Sequence, residues 1–154
     1  MCIAVCIALI SVSCSSTEKL NQSWPTVAVQ DIDGNQVDSA DFFHKRTTIV
    51  TLWSTTCVPC RAELPQLQKF ASSHNEYDAI AINLGDTPKS VAQFVDEIGL
   101  TLPTAIDFEG RVASALGVAS VPATLILSSS GEVTGTHLGE ISAEELAILA
   151  ETSG

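Results

Sequence analysis

Positive charge is scarce in this chain of 154 residues: 7 Lys and Arg stand against 18 Asp and Glu, a formal net charge of −11. Such a surface repels phosphate backbones and anionic lipid headgroups, which excludes nucleic-acid binding and electrostatic membrane docking as main functions. Charged residues are also few, at 16%, and with a mean hydropathy of +0.29 the composition excludes an intrinsically disordered chain. Internal repeats, low-complexity tracts and a second domain are all missing, so the length reads as one domain able to bury a core. Cysteine is limited to Cys2, Cys6, Cys14, Cys57 and Cys60.

What is present begins with residues 1–13, which hold eleven apolar residues and no charge. That span is too short to cross about 30 Å of hydrocarbon, and it matches the apolar core of a secretory signal. Ser11, Val12 and Ser13 close the span and Cys14 follows. The small residue before Cys14 resembles a bacterial lipoprotein cleavage site, after which Cys14 is lipidated and becomes the first residue. A basic n-region is absent and Ser11 stands where such sites more often carry Leu; an ordinary secretory signal with an incidental Cys14 is the alternative. The expected organisation is a signal peptide over 1–13, a tether over 14–25 and a folded domain over 26–154. The expected location is outside the cytoplasm, periplasmic or cell-surface, with the membrane reached only through the lipid.

The remaining pattern alternates strands and helices. Residues 27–32 and 36–37 flank Asp33, Gly34 and Asn35 and read as a hairpin. Residues 47–53 form a continuous β-branched and aromatic run, the composition of a strand buried on both faces. Leu64, Leu67, Phe70 and Ala71 recur at helical spacing over 58–73, with Pro65 inside the pattern as a source of a kink. A second apolar run covers 78–84, a helical pattern 88–98, a short strand 104–107 and a short helix 113–116. A strand at 123–127, a turn at 128–131 and an antiparallel return strand at 133–138 come next. A closing helix starts at Ser142, with Glu145 completing a capping box. The fold class is therefore α/β, with parallel crossover units.

Once residues 1–13 are removed and Cys14 is acylated, a single pair of cysteines remains, too few for a disulfide framework in a domain of this size. Cys57 and Cys60 fall where the buried strand ends and a helix begins. There the free N–H groups and the positive dipole end favour thiolate, the form that attacks disulfides. Cys60, three residues on, lies on the same helical face and is placed to resolve a mixed disulfide. Pro59 is tolerated because the N–H it lacks has no partner in a first turn. A structural disulfide or half a zinc site has the same spacing. Zinc needs four ligands, and Cys14, His44, His74 and His137 form no spaced second half.

The run from Trp53 through Cys57, Val58, Pro59 and Cys60 to Arg61, with Glu63, Leu64 and Pro65, then Gly117 to Thr124 around Val121 and Pro122, resembles the thioredoxin superfamily. Within it the chain is similar to exported, membrane-tethered TlpA/ResA-type thiol-disulfide oxidoreductases. The resemblance runs from about Trp24 to the C-terminus. It implies a central mixed sheet flanked by helices, with the N-terminal hairpin added. It further implies that Cys57 is the nucleophile, that Cys60 resolves, that Trp53 packs beside the pair, that Val121 and a cis Pro122 face the two sulfurs, and that Trp53, Val121 and Pro122 bind substrate. Thr56 stands where an aromatic is frequent, and Thr51 where many thioredoxins keep a buried Asp. Glu63 occupies the position of a Glu in ResA-like members, which implies a role as acceptor of the Cys60 proton, against the plain alternative of a solvated helix carboxylate.

The three histidines are scattered and read as surface residues, and Arg61 reads equally as a helix-surface charge or as an aid to Cys57. The leading function is dithiol–disulfide exchange with exported proteins, with no metal or organic cofactor. Val58 and Pro59 add no cation beside Cys57, which favours a reductase. The resemblance implies apocytochrome c as a substrate, in cytochrome c biogenesis, and a membrane electron donor of the DsbD/CcdA kind. The competing functions are a binding module without catalysis, for a partner or a copper ion, and a peroxiredoxin-like peroxidase. Ser54 and the missing loop Pro weigh against the peroxidase.

Overall fold

The computed structural model describes residues 22–154. The expected signal peptide, Cys14 and most of the expected tether lie outside the described residues. Seven strands form one mixed sheet: β1 Ala28–Asp31, β2 Gln36–Asp38, β3 Thr48–Trp53, β4 Asp78–Leu84, β5 Thr104–Asp107, β6 Ala123–Leu127 and β7 Val133–Leu138. Four helices accompany it: α1 Val58–Ser73, α2 Pro88–Ile98, α3 Arg111–Ala115 and α4 Ala143–Ser153. The spatial order is β2-β1-β5-β4-β3-β6-β7. The pairs β3/β4 and β4/β5 are parallel, while β1/β2, β1/β5, β3/β6 and β6/β7 are antiparallel. This is the mixed α/β sheet with an added N-terminal hairpin that the resemblance implied. The hairpin turn uses Gly34 at φ +86°, a conformation that a Cβ disfavours.

All six residues of β3 are buried, and their alternation decides what lies where. Val50 and Leu52 face a cluster with Trp24, Ile80, Ile82, Val112 and Leu125. Ile49 and Trp53 face the opposite side, where α1, α2 and α4 pack through Leu64, Leu67, Phe70, Val91, Phe94 and Leu146. Thr51 shares that helix-covered side by the same period of two. Burying each such Leu or Phe stabilises the fold by about 1.5–3 kcal/mol before entropy is counted. Pro65 lies inside α1, which continues through it to Ser73; its ring removes the N–H that would reach the Arg61 carbonyl.

Two local expectations shift. The short helix begins at Arg111 rather than 113, because the Asp107 carboxylate at the end of β5 accepts the N–H groups of Arg111 (2.8 Å) and Ala113 (3.0 Å). A 3-10 turn at Ser39–Phe42, closed by an Asp38/Asp41 capping box, carried no apolar periodicity to reveal it. The last residues of the span read as tether are part of the fold. Trp24 is 9% exposed, donates its indole N–H to the Ser39 carbonyl at 3.0 Å, and its backbone N–H reaches the Gly131 carbonyl at 2.7 Å. Ser23 bridges to Glu132. The packed domain therefore includes Gln22–Pro25 and does not start at 26, because a large indole gains more by burial than by solvation.

Candidate active site

β3 ends at Trp53 and α1 starts at Val58, so Cys57 is the N-cap residue, with extended φ −81° and ψ 105°. Its sulfur accepts the Cys60 N–H at 3.3 Å, and its own N–H donates to the Ser54 carbonyl at 3.2 Å. Pro59 occupies the first turn, as its missing N–H permits. Cys57 and Cys60 are joined as a disulfide, with Cα atoms 5.3 Å apart. Their accessibility differs: Cys57 is half-buried, whereas Cys60 is 1% exposed. Val58, between them, is 83% exposed. An incoming sulfur therefore reaches Cys57 and not Cys60.

Val121–Pro122 is a cis peptide bond just before β6. Val121 is half-buried and packs against the cluster that holds Cys57, Cys60 and Trp53. Within the described residues the Val121 backbone forms no hydrogen bond to other backbone groups, while the Pro122 carbonyl is taken by the Gly139 N–H at 2.9 Å. Pro122 itself is buried. Trp53 is 0% exposed, its ring 4.8 Å from that of Phe94. The expectation that Trp53 lies on the substrate surface is thereby corrected. The β3 pleat turns it inward, under α1, where it supports the cysteine pair from beneath. Among the described residues its buried indole N–H meets no hydrogen-bond partner.

Glu63 follows Cys60 by one turn on the same buried face of α1 and is 2% exposed. Its Oε1 accepts the hydroxyls of Thr51 on β3 (3.2 Å) and Thr124 on β6 (3.1 Å), and its Oε2 the N–H of Ile141 (3.3 Å). Burial pushes its carboxyl above the ordinary glutamate range; the Ile141, Thr124 and Thr51 hydrogen bonds and the charge of His137 pull it part of the way back. The solvated-carboxylate alternative is excluded. Thr51 is thus one of three donors that hold this carboxylate.

Arg61 lies over the Phe94 ring at 4.5 Å and pairs with Glu97 at 3.1 Å, so it fastens α1 to α2. His74 donates from Nδ1 to the Phe70 carbonyl at 2.9 Å and stacks on the Phe70 ring, and His44 lies 3.9 Å from Asp78. His137 donates from Nε2 to the Glu140 carbonyl at 3.0 Å, an exposed contact. Asn83 and Asp86, which hold the loop before Cys57, were not legible as site residues. Their only signal is the Asn-Leu-Gly-Asp sequence at the end of β4.

The Redoxin family model matches residues 19–151. Thiol-disulfide oxidoreductase ResA of Halalkalibacterium halodurans is 29% identical over 113 residues, covering 72% of this chain and 64% of the relative. The alignment with it thus spans just under two thirds of its length. ResA of Bacillus anthracis is 27% identical over 130 residues, covering 83% of this chain and 75% of the relative. Among solved structures, StoA from Bacillus subtilis superposes with a TM-score of 0.67 at 25% identity, covering 82% of this chain and 96% of that one. A secreted Mycobacterium tuberculosis disulfide oxidoreductase superposes at 0.71 with 19% identity, covering 82% and 96%, a likeness of fold. The family match over residues 19–151 establishes that the chain belongs to the Redoxin family, and its paired cysteines at the head of α1 lie in a chain similar to ResA-type thiol-disulfide oxidoreductases.

Proposed function

We propose that this domain works outside the cytoplasm as a reductase of disulfides in exported proteins, with apocytochrome c the substrate implied by the sequence resemblance. In this reading Cys14 carries a lipid anchor and a membrane dithiol donor of the DsbD/CcdA kind restores the reduced form. The observation that carries the reading is the unequal exposure of the two sulfurs, Cys57 reachable and Cys60 1% exposed.

The Cys57 thiolate attacks one sulfur of the substrate disulfide. That S–S bond breaks, a mixed disulfide forms and the first substrate thiolate leaves. Cys60 then loses its proton to Glu63 and attacks Sγ of Cys57. The mixed disulfide breaks, the second substrate thiolate leaves, and the domain ends as the Cys57–Cys60 disulfide. Two electrons have passed to the substrate, and the donor must return two. The Cys60 N–H at 3.3 Å from Sγ of Cys57 favours the attacking thiolate. The Val121 backbone, half-buried beside the pair, offers an edge to an extended substrate segment.

The test combines iodoacetamide trapping of reduced Cys57 against pH with a reduction potential. Alkylation at neutral pH faster than a free thiol, with a potential nearer thioredoxin's roughly −270 mV than DsbA's roughly −120 mV, is the expected outcome. A Cys57 no more reactive than free cysteine removes the catalytic reading. A potential close to DsbA's reverses the direction of electron flow.

A further inference from the structure

The loop Ser54–Thr56 that delivers Cys57 has no regular structure of its own, yet it is tied to the neighbouring strand by a side-chain clamp. Oδ2 of Asp86 accepts the Thr55 N–H at 2.7 Å and the Asn83 side-chain N–H at 2.8 Å. Asn83 Oδ1 accepts the Asp86 N–H at 3.1 Å in return. Asn83 is 0% exposed and is in register with Trp53 across the parallel β3/β4 pair. The clamp is therefore rooted in the sheet and reaches to within two residues of the attacking sulfur.

We propose that Asp86 is a positioning residue for Cys57, acting through its two accepted hydrogen bonds and not through its charge. In the disulfide form, the bond to Cys60 itself fixes Cys57. Once that bond is reduced, the N–H of Cys57 on Ser54 and the Thr55–Asp86–Asn83 clamp hold the N-cap. Attack on a disulfide needs the three sulfurs aligned, so a loop that drifts loses rate even while the fold persists. This inference rests on the reading of Cys57 as the attacking sulfur.

The experiment compares reduced wild type, Asp86→Ala and Asp86→Asn in their second-order reaction with dithiodipyridine, together with the pH midpoint of Cys57 alkylation. Asparagine can place its carbonyl oxygen where Oδ2 sits and keep both hydrogen bonds without the charge. Expected is a rate reduced about tenfold in Asp86→Ala, with Asp86→Asn near wild type and sharing its pH midpoint. Equal loss in both variants, or a pH midpoint moved in Asp86→Asn as far as in Asp86→Ala, makes the charge the active element and overturns the proposal. A fast wild type with an equally fast Asp86→Ala also overturns it while leaving the reading of Cys57 intact; a slow wild type defeats that reading instead. If Asp86→Ala fails to fold, amide hydrogen exchange in reduced wild type decides. A protected Thr55 N–H supports the clamp, and exchange as fast as at exposed Thr56 refutes it.

Discussion

Thr124 donates its hydroxyl to Glu63 at 3.1 Å across 61 residues of chain. The bond joins the helix that begins at the cysteines to the strand that follows Pro122, and Thr51 completes the grip from β3 at 3.2 Å. Without these donors, a carboxylate at 2% exposure is strongly disfavoured in its charged form.

Replacing Thr124 by Val keeps the volume and deletes the donor. A hydrogen bond to a charged acceptor is worth about 2 kcal/mol and one to a neutral acceptor about half of that. Thr124→Val is therefore expected to destabilise the domain by about 2 kcal/mol where Glu63 is charged and by less in acid, where it is protonated, as read from urea unfolding.

The raised pKa of Glu63 sets the sign of a pH dependence. Its carboxyl holds a proton in the folded chain where the unfolded chain has already lost it. The associated stability is complete below the ordinary glutamate pKa and is lost as pH rises through the folded value. Urea midpoints from about pH 4 to about pH 8 should fall for wild type relative to Glu63→Gln. The same variant should flatten the pH dependence of mixed-disulfide resolution, and an unchanged profile would remove Glu63 from the proton path.

Cys60→Ser should accumulate a covalent adduct between Cys57 and a disulfide-bearing substrate, visible as a band that thiol reagents dissolve. Cys57→Ser should give none, because the remaining sulfur is 1% exposed and cannot meet the substrate. Adducts of equal yield in both would contradict the assigned order of attack.

Trp24→Ala is expected to cost about 3 kcal/mol, as for other buried aromatic deletions, measured by chemical unfolding. A loss within experimental error would return Trp24 to the tether.

Much of the fold was legible because its signals are local. The run from Thr48 to Trp53 is buried at every position, as an unbroken β-branched stretch implies, and Ser142 with Glu145 forms the capping box that their spacing of three specifies. Trp24 was misread because a single indole in a polar stretch has no periodicity, and its burial depends on Ser39 and Gly131, distant in sequence. The inward turn of Trp53 follows from the pleat, but only the packing of α1 and α2 over that face removes it from solvent.

The order of residues alone determined that a strand runs into a helix with Cys57 at its cap and Cys60 a turn behind, because strand runs, caps and first-turn prolines act within a few residues. Which sulfur meets solvent, which hydroxyls hold Glu63, and which carboxylate steadies the loop before Cys57 were decided only when β4, β6 and the segment ahead of α4 closed around α1. Those contacts join Thr51, Asp86, Thr124 and Ile141 to the site from four separate parts of the chain. Burial and hydrogen bonding depend on distance in space, and the local pattern carries no record of it.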